Sequence, residues 1–202
     1  MKKRFLSLFF PDWHIDRIRR STKTKEPVIL YLQNGSQAYV KHCSLDAKNA
    51  QIKEGISVSL AKAFLPEAKL FPFQATQDFK ALFKLARWMI RFSPLVGLEE
   101  ETVSAYKNQS LETLDPLHNG IILDITGTER VHKSETALAC KILLALQKAQ
   151  INTRIGIASS IGSAWALARF NHSAKAFSIA AKDYKDLRQA LLPLPLAALR
   201  LS

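Results

Sequence analysis

The sequence is poor in cysteine, glycine and acidic residues, and each shortage excludes a class of protein. Only Cys43 and Cys140 occur in 202 residues. So few, and so far apart, they form no disulfide framework or zinc-ligand pair, and they read as reduced thiols of a cytosolic protein. Seven glycines build no nucleotide loop. No Gly-x-Gly-x-x-Gly occurs, and Gly156 and Gly162 enclose one residue too many for a P-loop, with no lysine following. His14, His42, His118, His132 and His172 are scattered without metal-ligand spacing. No apolar run reaches the roughly 18–20 residues of a membrane span. The basic start Met1-Lys2-Lys3-Arg4 leads into an apolar stretch that Pro11-Asp12 interrupts, and no small-residue cleavage site follows, so it does not read as a secretory signal. A soluble cytoplasmic protein with no membrane contact is expected.

What is present is apolar residues and positive charge. At 48% apolar and 23% charged residues, the chain can bury a core and is not disordered. Lys plus Arg number 29 against 17 Asp plus Glu, a net charge of +12. The charge is uneven: residues 1–97 carry 17 bases and 7 acids, 98–120 one base and 5 acids, and 121–202 11 bases and 5 acids. A basic surface of this kind points to a phosphate backbone through counterion release. The candidate contacts are Arg17, Arg19, Arg20, Lys23, Lys25, Lys41 and Lys48. A merely solvated basic face is the alternative reading.

Residues 5–10 read as a short buried strand. Phe79, Leu82, Phe83, Ala86, Met89 and Ile90 recur at helical spacing and predict a helix over 76–92, ended by Ser93-Pro94. Strands follow at 95–98 and 121–125, a helix at 134–150 with Leu138, Ile142 and Leu146 on one face, a strand at 154–158 and a helix at 159–170. This β-α-β-β-α-β order is that of an α+β, ferredoxin-like fold. Residues 11–73 exceed a simple connection and read as a small basic subdomain with strands at 27–32 and 38–41 and helices near 45–52 and 58–64. Residues 99–119 read as an acidic, turn-rich insertion, expected to be a tolerated surface loop. Trp88 and Trp165 are expected in the core, whereas Trp13 is placed equally well at the surface or buried.

Several phrases in this order resemble the Y-family (UmuC/DinB-like) translesion DNA polymerases. They are Phe5-Leu6-Ser7-Leu8-Phe9-Phe10, Pro27-Val28-Ile29-Leu30, Leu45-Asp46-Ala47-Lys48, Leu65-Pro66-Glu67, Leu123-Asp124-Ile125-Thr126-Gly127 and Ile155-Gly156-Ile157-Ala158-Ser159. Phe10-Pro11-Asp12, Arg91-Phe92-Ser93-Pro94, Ala164-Trp165-Ala166-Leu167-Ala168-Arg169-Phe170 and the run from Leu192 to Leu201 are similar to the ImuB family within that class. The resemblance implies a palm from 1–10 and 74–170, fingers from 11–73, and a helical start of a thumb from 171–202. Thumb, outer DNA-gripping domain and clamp-binding tail would lie beyond this sequence, which reads as a shortened form.

The resemblance also implies what has been lost. In the family, an aspartate closing the first strand and an Asp-Glu pair opening the third hold two metal ions for nucleotidyl transfer. Those positions align with Phe9, Asn119 and Gly120. The Tyr-x-x-Arg that steadies the triphosphate aligns with Leu45 and Lys48, and a later phosphate-contacting lysine aligns with Trp165. No catalytic residue, metal ligand or cofactor is therefore expected, and the implied role is a non-catalytic scaffold or DNA-binding accessory in translesion synthesis and repair. DNA, a sliding clamp, a RecA-like accessory protein and a separate replicative-type polymerase would be its partners, at a nucleoid-associated site in the cytoplasm. The rival is an active error-prone polymerase that uses Mg2+ on relocated acids. Of these, Asp12 lies beyond the strand, and Glu99, Glu100 and Glu101 could approach the old site, although an acidic loop is expected to be solvated. A ferredoxin-like nucleic-acid-binding module ranks last, because 121–125 offers no aromatic for base stacking.

Overall fold

The computed structural model describes residues 2–171, 177–179 and 184–199, and the chain divides into two compact units, Asp12–Asp78 and Met1–Pro11 with Phe79–Ser202. In chain order the elements are β1 (Phe5–Phe9), α1 (Trp13–Thr22), β2 (Val28–Asn34), β3 (Gln37–Cys43), α2 (Leu45–Asn49), α3 (Val58–Phe64), β4 (Lys69–Pro72) and α4 (Ala75–Met89). Then come β5 (Leu95–Leu98), α5 (Glu100–Lys107), β6 (Gly120–Asp124), α6 (Glu129–His132), α7 (Glu135–Lys148), β7 (Arg154–Ala158), α8 (Ile161–Phe170), β8 (Phe177–Ile179) and α9 (Tyr184–Leu191).

The larger unit is built on a sheet of order β5-β6-β1-β7-β8. β1 runs antiparallel to both β6 and β7, and β5 antiparallel to β6, which is the ferredoxin-like order expected from the sequence. A fifth strand, β8, adds parallel to β7. The region from 171 onward is thus not simply a helical continuation. Its residues 172–176, 180–183 and 200–202 lie outside the described ones.

Central burial explains the apolar strands. Leu6 and Leu8 of β1, Ile121 and Leu123 of β6, and Ile155 and Ile157 of β7 are all buried. Leu138, Ile142 and Leu146 bury one face of α7, whose start Ser134 caps by accepting a hydrogen bond from Ala137 N–H at 3.1 Å. Arg4 is buried just before β1 and forms a bidentate pair with Glu135 of α7, both N–O distances being 2.6 Å. α8 packs on β1 and β7. That approach needs Gly156, because a Cβ there would collide with the backbone of Ala164 and Ala168.

The smaller unit holds a sheet of order β3-β2-β4, with β2 and β4 parallel. Its core is Ile29, Val40, Cys43, Ala47, Ile52, Ala61, Leu65 and Ala68. Helix α1, read from sequence only as a basic stretch, buries Trp13, Ile15 and Ile18. Trp13 is therefore core rather than surface, and its indole N–H donates to the Asp78 carbonyl at 3.0 Å. β4 is a second element that the sequence reading missed.

Candidate functional site

The three positions where the family resemblance puts metal carboxylates do come together. Phe9 and Gly120 are register partners at one end of the β1–β6 pair, and Phe10 N–H donates to the Asn119 carbonyl at 3.0 Å. Phe9, Asn119 and Gly120 are all buried, and none carries a charge.

The space beside them holds an ion pair. Arg169 reaches in from α8, with its side chain fully buried, and its Nη2 donates to Glu99 Oε1 in a short contact. Its Nε donates to the Leu117 carbonyl at 2.6 Å, and Nη1 lies 3.3 Å from Ser7 Oγ and 3.4 Å from the Trp165 carbonyl. The guanidinium also faces two rings, 4.6 Å from the centre of Phe9 and 4.5 Å from that of Trp165. Glu99 is just as enclosed, its side chain 1% exposed. The Trp165 indole N–H donates to Glu99 Oε2 at 2.9 Å, and His118 Nδ1 stands 3.3 Å from the same oxygen.

Local structure explains why these groups converge. β5 ends at Leu98, and Glu99 becomes the first residue before α5 with extended backbone (φ −66°, ψ 144°). Its carbonyl accepts the Val103 N–H at 3.1 Å, which starts the helix and leaves the carboxylate to turn inward. Thr102 Oγ1 donates to the His118 carbonyl at 2.7 Å and ties α5 to the segment entering β6. Trp165 and Arg169 are four residues apart on α8 and so share a face. At Gly120 a Cβ would collide with Glu99 Oε1 and lie 2.5 Å from Arg169 Nη2 and 2.9 Å from the Leu8 carbonyl. The ion pair therefore fills the volume that a side chain at position 120 would need.

The insertion 99–119 is thus not a solvated loop. It contains α5, and its first residue is an internal counterion, because a buried guanidinium demands a partner. The sequence held a signal for this: Arg169 is the lone charge in an otherwise apolar stretch from Ala164 to Phe170, and α8 buries the five residues before Arg169 and Arg169 itself.

The two-metal arrangement does not fit this site: the ligand positions carry phenylalanine, asparagine and glycine, and a guanidinium stands beside them. Among the described residues, Glu99, Glu101 and His118 form the one group with potential metal-ligand atoms within 4.8 Å of one another. Both oxygens of Glu99 already accept hydrogen bonds from Arg169 and Trp165.

The basic candidates lie in the smaller unit and differ in availability. Arg17 Nε pairs with the buried carboxylate of Asp78, which also takes His14 Nδ1 at 2.8 Å. Arg19 pairs with Asp46 at 2.8 Å. Arg20 lies 5.3 Å over the Trp13 ring, with its Nε donating to the Asp16 carbonyl at 3.2 Å, and burial lowers its pKa. Lys23 closes α1 in a left-handed conformation (φ 57°). Lys41 is half-buried on β3, while Lys23, Lys25 and Lys48 are exposed. Leu45, at the position where the family resemblance puts the aromatic of a triphosphate motif, is also exposed.

Fold and site together define a palm-and-fingers part of the Y-family DNA polymerase type. Over 98% of this chain and 56% of theirs, it matches a post-insertion binary complex of Dbh DNA polymerase with TM-score 0.68 at 14% identity. It matches DinB from Sulfolobus solfataricus over 87% of this chain and 48% of that one, with TM-score 0.60 at 15% identity. The chain belongs to the impB/mucB/samB family, whose model matches residues 8–169. It is also 30% identical over 141 residues to Protein ImuB of Caulobacter vibrioides, covering 70% of this chain and 26% of that relative, so it spans about a quarter of the protein it resembles.

Proposed function

We propose that this chain is a polymerase-shaped platform that handles DNA in damage-induced, error-prone synthesis without performing nucleotidyl transfer. The observation that carries this reading is the buried Arg169–Glu99 pair. Two-metal transfer requires carboxylates that bridge divalent cations next to the attacking and leaving oxygens. Here a fixed cation sits beside the corresponding positions, at closest approach to Phe9 and Gly120. The pair fills the space beside them, and both oxygens of its carboxylate are already taken up by Arg169 and Trp165 rather than left for a metal.

In this reading the exposed cations Lys23, Lys25 and Lys48 contact the DNA backbone. A sliding clamp, a RecA-like accessory protein and a separate replicative-type polymerase complete the assembly, with that polymerase doing the chemistry. The likeness to ImuB and to polymerases caught in binary and ternary complexes supports the DNA-handling part. A second reading, an active polymerase on relocated acids, draws on the grouping of Glu99, Glu101 and His118. Against it stands Glu99, already held by Arg169 and Trp165.

Fluorescence anisotropy on labelled primer–template at several salt concentrations tests the platform. Binding is expected to weaken with salt, log K falling by about 0.9 per phosphate neutralised for each unit of log salt. Replacing Lys23, Lys25 and Lys48 with Gln is expected to flatten that slope by about 2–3. Salt-insensitive binding, or a slope unchanged by the triple substitution, would refute the assigned contacts. Nucleotide incorporation that disappears in Glu99→Gln would establish the second reading instead.

A further inference from the structure

Helix α4 and the turn that closes it carry their charge and their exposed apolar groups in two adjacent stripes, and neither stripe takes part in the site described above. Lys80, Lys84 and Arg87 follow at intervals of four and three, which puts them on one line along α4, and Arg91 comes four residues later in the turn that closes the helix. Lys80, Lys84, Arg87 and Arg91 are all exposed. Among the described residues, Lys80, Lys84 and Arg87 form no ion pair, whereas Arg4, Arg17, Arg19 and Arg169 each have a carboxylate partner. No acid occurs between Phe79 and Leu98. Arg91 is held in place, 4.1 Å over the Trp88 ring, with Nε donating to the Trp88 carbonyl at 3.2 Å.

Beside this line lies an apolar strip. Phe83 is 50% and Ile90 55% exposed, while Leu82, Ala86 and Met89 turn into the core. Tyr106 of α5 extends the strip, stacked on Phe79 at 4.0 Å with an interplanar angle of 8°. Aligned exposed apolar side chains beside cations without a carboxylate partner supply the two elements, apolar contact and charge, that a docking surface combines.

We propose that this face of α4 docks an acidic amphipathic helix of a partner protein. Phe83 on α4 and Ile90 in the turn that closes it are seven residues apart, about 10 Å along the helix direction. That spacing therefore matches apolar groups two turns apart on a helix lying alongside, with acids flanking them to meet the four cations. Single-stranded nucleic acid fits less well, because the Phe79 and Tyr106 rings cover one another and leave no slot for a base. A second copy of this chain fits poorly too, since its net charge is +12. This inference does not rest on the proposed loss of catalysis.

The test uses the whole chain and a synthetic amphipathic helical peptide with leucines at seven-residue spacing and flanking glutamates. The same peptide with lysines for glutamates, and an oligothymidylate, serve as comparators. The acidic peptide is expected to bind and the lysine peptide not to. Lys84→Glu with Arg87→Glu is expected to weaken acidic-peptide binding about tenfold or more through like-charge contact, and Phe83→Ser to weaken it without changing its salt dependence. All three changes lie at exposed positions, and an unchanged circular dichroism spectrum checks that the fold survives. Equal binding of both peptides, indifference to the charge reversal, or oligothymidylate displacing the peptide from these residues at lower concentration would overturn the proposal.

Discussion

Glu99→Gln isolates the central ion pair with almost no change in shape. The amide oxygen can still accept the Trp165 indole N–H, bonded in the native protein at 2.9 Å. What disappears is the negative charge facing Arg169, whose side chain is 0% exposed. Removing one partner of a buried pair strands the other charge away from water and costs about 3–5 kcal/mol. At about 2–4 °C per kcal/mol for a chain of this size, the melting temperature should fall by about 6–20 °C. Arg169→Met in the Glu99→Gln background removes the stranded cation. Because a buried ion pair can often be replaced by apolar groups at little cost, the double variant should be more stable than Glu99→Gln alone. Denaturant titration of the four proteins of the cycle measures this. A loss below about 1 kcal/mol for Glu99→Gln, or strictly additive costs, would refute the reading of the pair as a buried, mutually dependent unit.

Three other outcomes follow from local geometry. Gly120→Ala pushes a methyl group into Glu99, Arg169 and the Leu8 carbonyl, so it should destabilise by about 1–3 kcal/mol as overpacking does; a neutral melting curve would contradict the packing. In the smaller unit the His42 pKa is lowered by burial, then by the neighbouring His14 ring stacked 4.8 Å away, against the opposing pull of Glu54. The unfolded chain therefore takes up this proton first, so this contribution is complete above about pH 6.5. It should be lost as the pH falls through that value toward the lower folded pKa, and His42→Gln should flatten the dependence in pH-resolved denaturation. Burial also raises the Cys43 thiol pKa, whereas Cys140 is exposed. Alkylation of the native protein should modify Cys140 and spare Cys43 until denaturant is added, and rapid native labelling of Cys43 would be the contrary result.

How much of this was legible in the sequence depended on whether local pattern or distant partners set each residue's place. The helical spacing around Phe79 and Leu82 and the apolar strands at 121–125 and 154–158 correspond to α4, β6 and β7 because each buries a regular face of its own. α1 was hidden because its buried face is only Trp13, Ile15 and Ile18 among charged residues. β4 is four residues long and ends on Pro72, and β8 is three long, too short for a periodic signal. That Phe9, Asn119 and Gly120 carry no charge was readable from their residue types. The ion pair beside them was not: Glu99 and Arg169 are 70 residues apart, and an acid at the start of an acidic segment looks solvated until a buried guanidinium is placed against it.

The most direct test of the central claim is a Mn2+ titration of the protein and of Glu99→Gln, followed by electron paramagnetic resonance. With Arg169 beside Phe9 and Gly120, both proteins should bind Mn2+ only weakly and alike. A stoichiometric Mn2+ site present in the native protein and absent from Glu99→Gln would contradict the account and show that Glu99, with Glu101 and His118, has become a metal ligand.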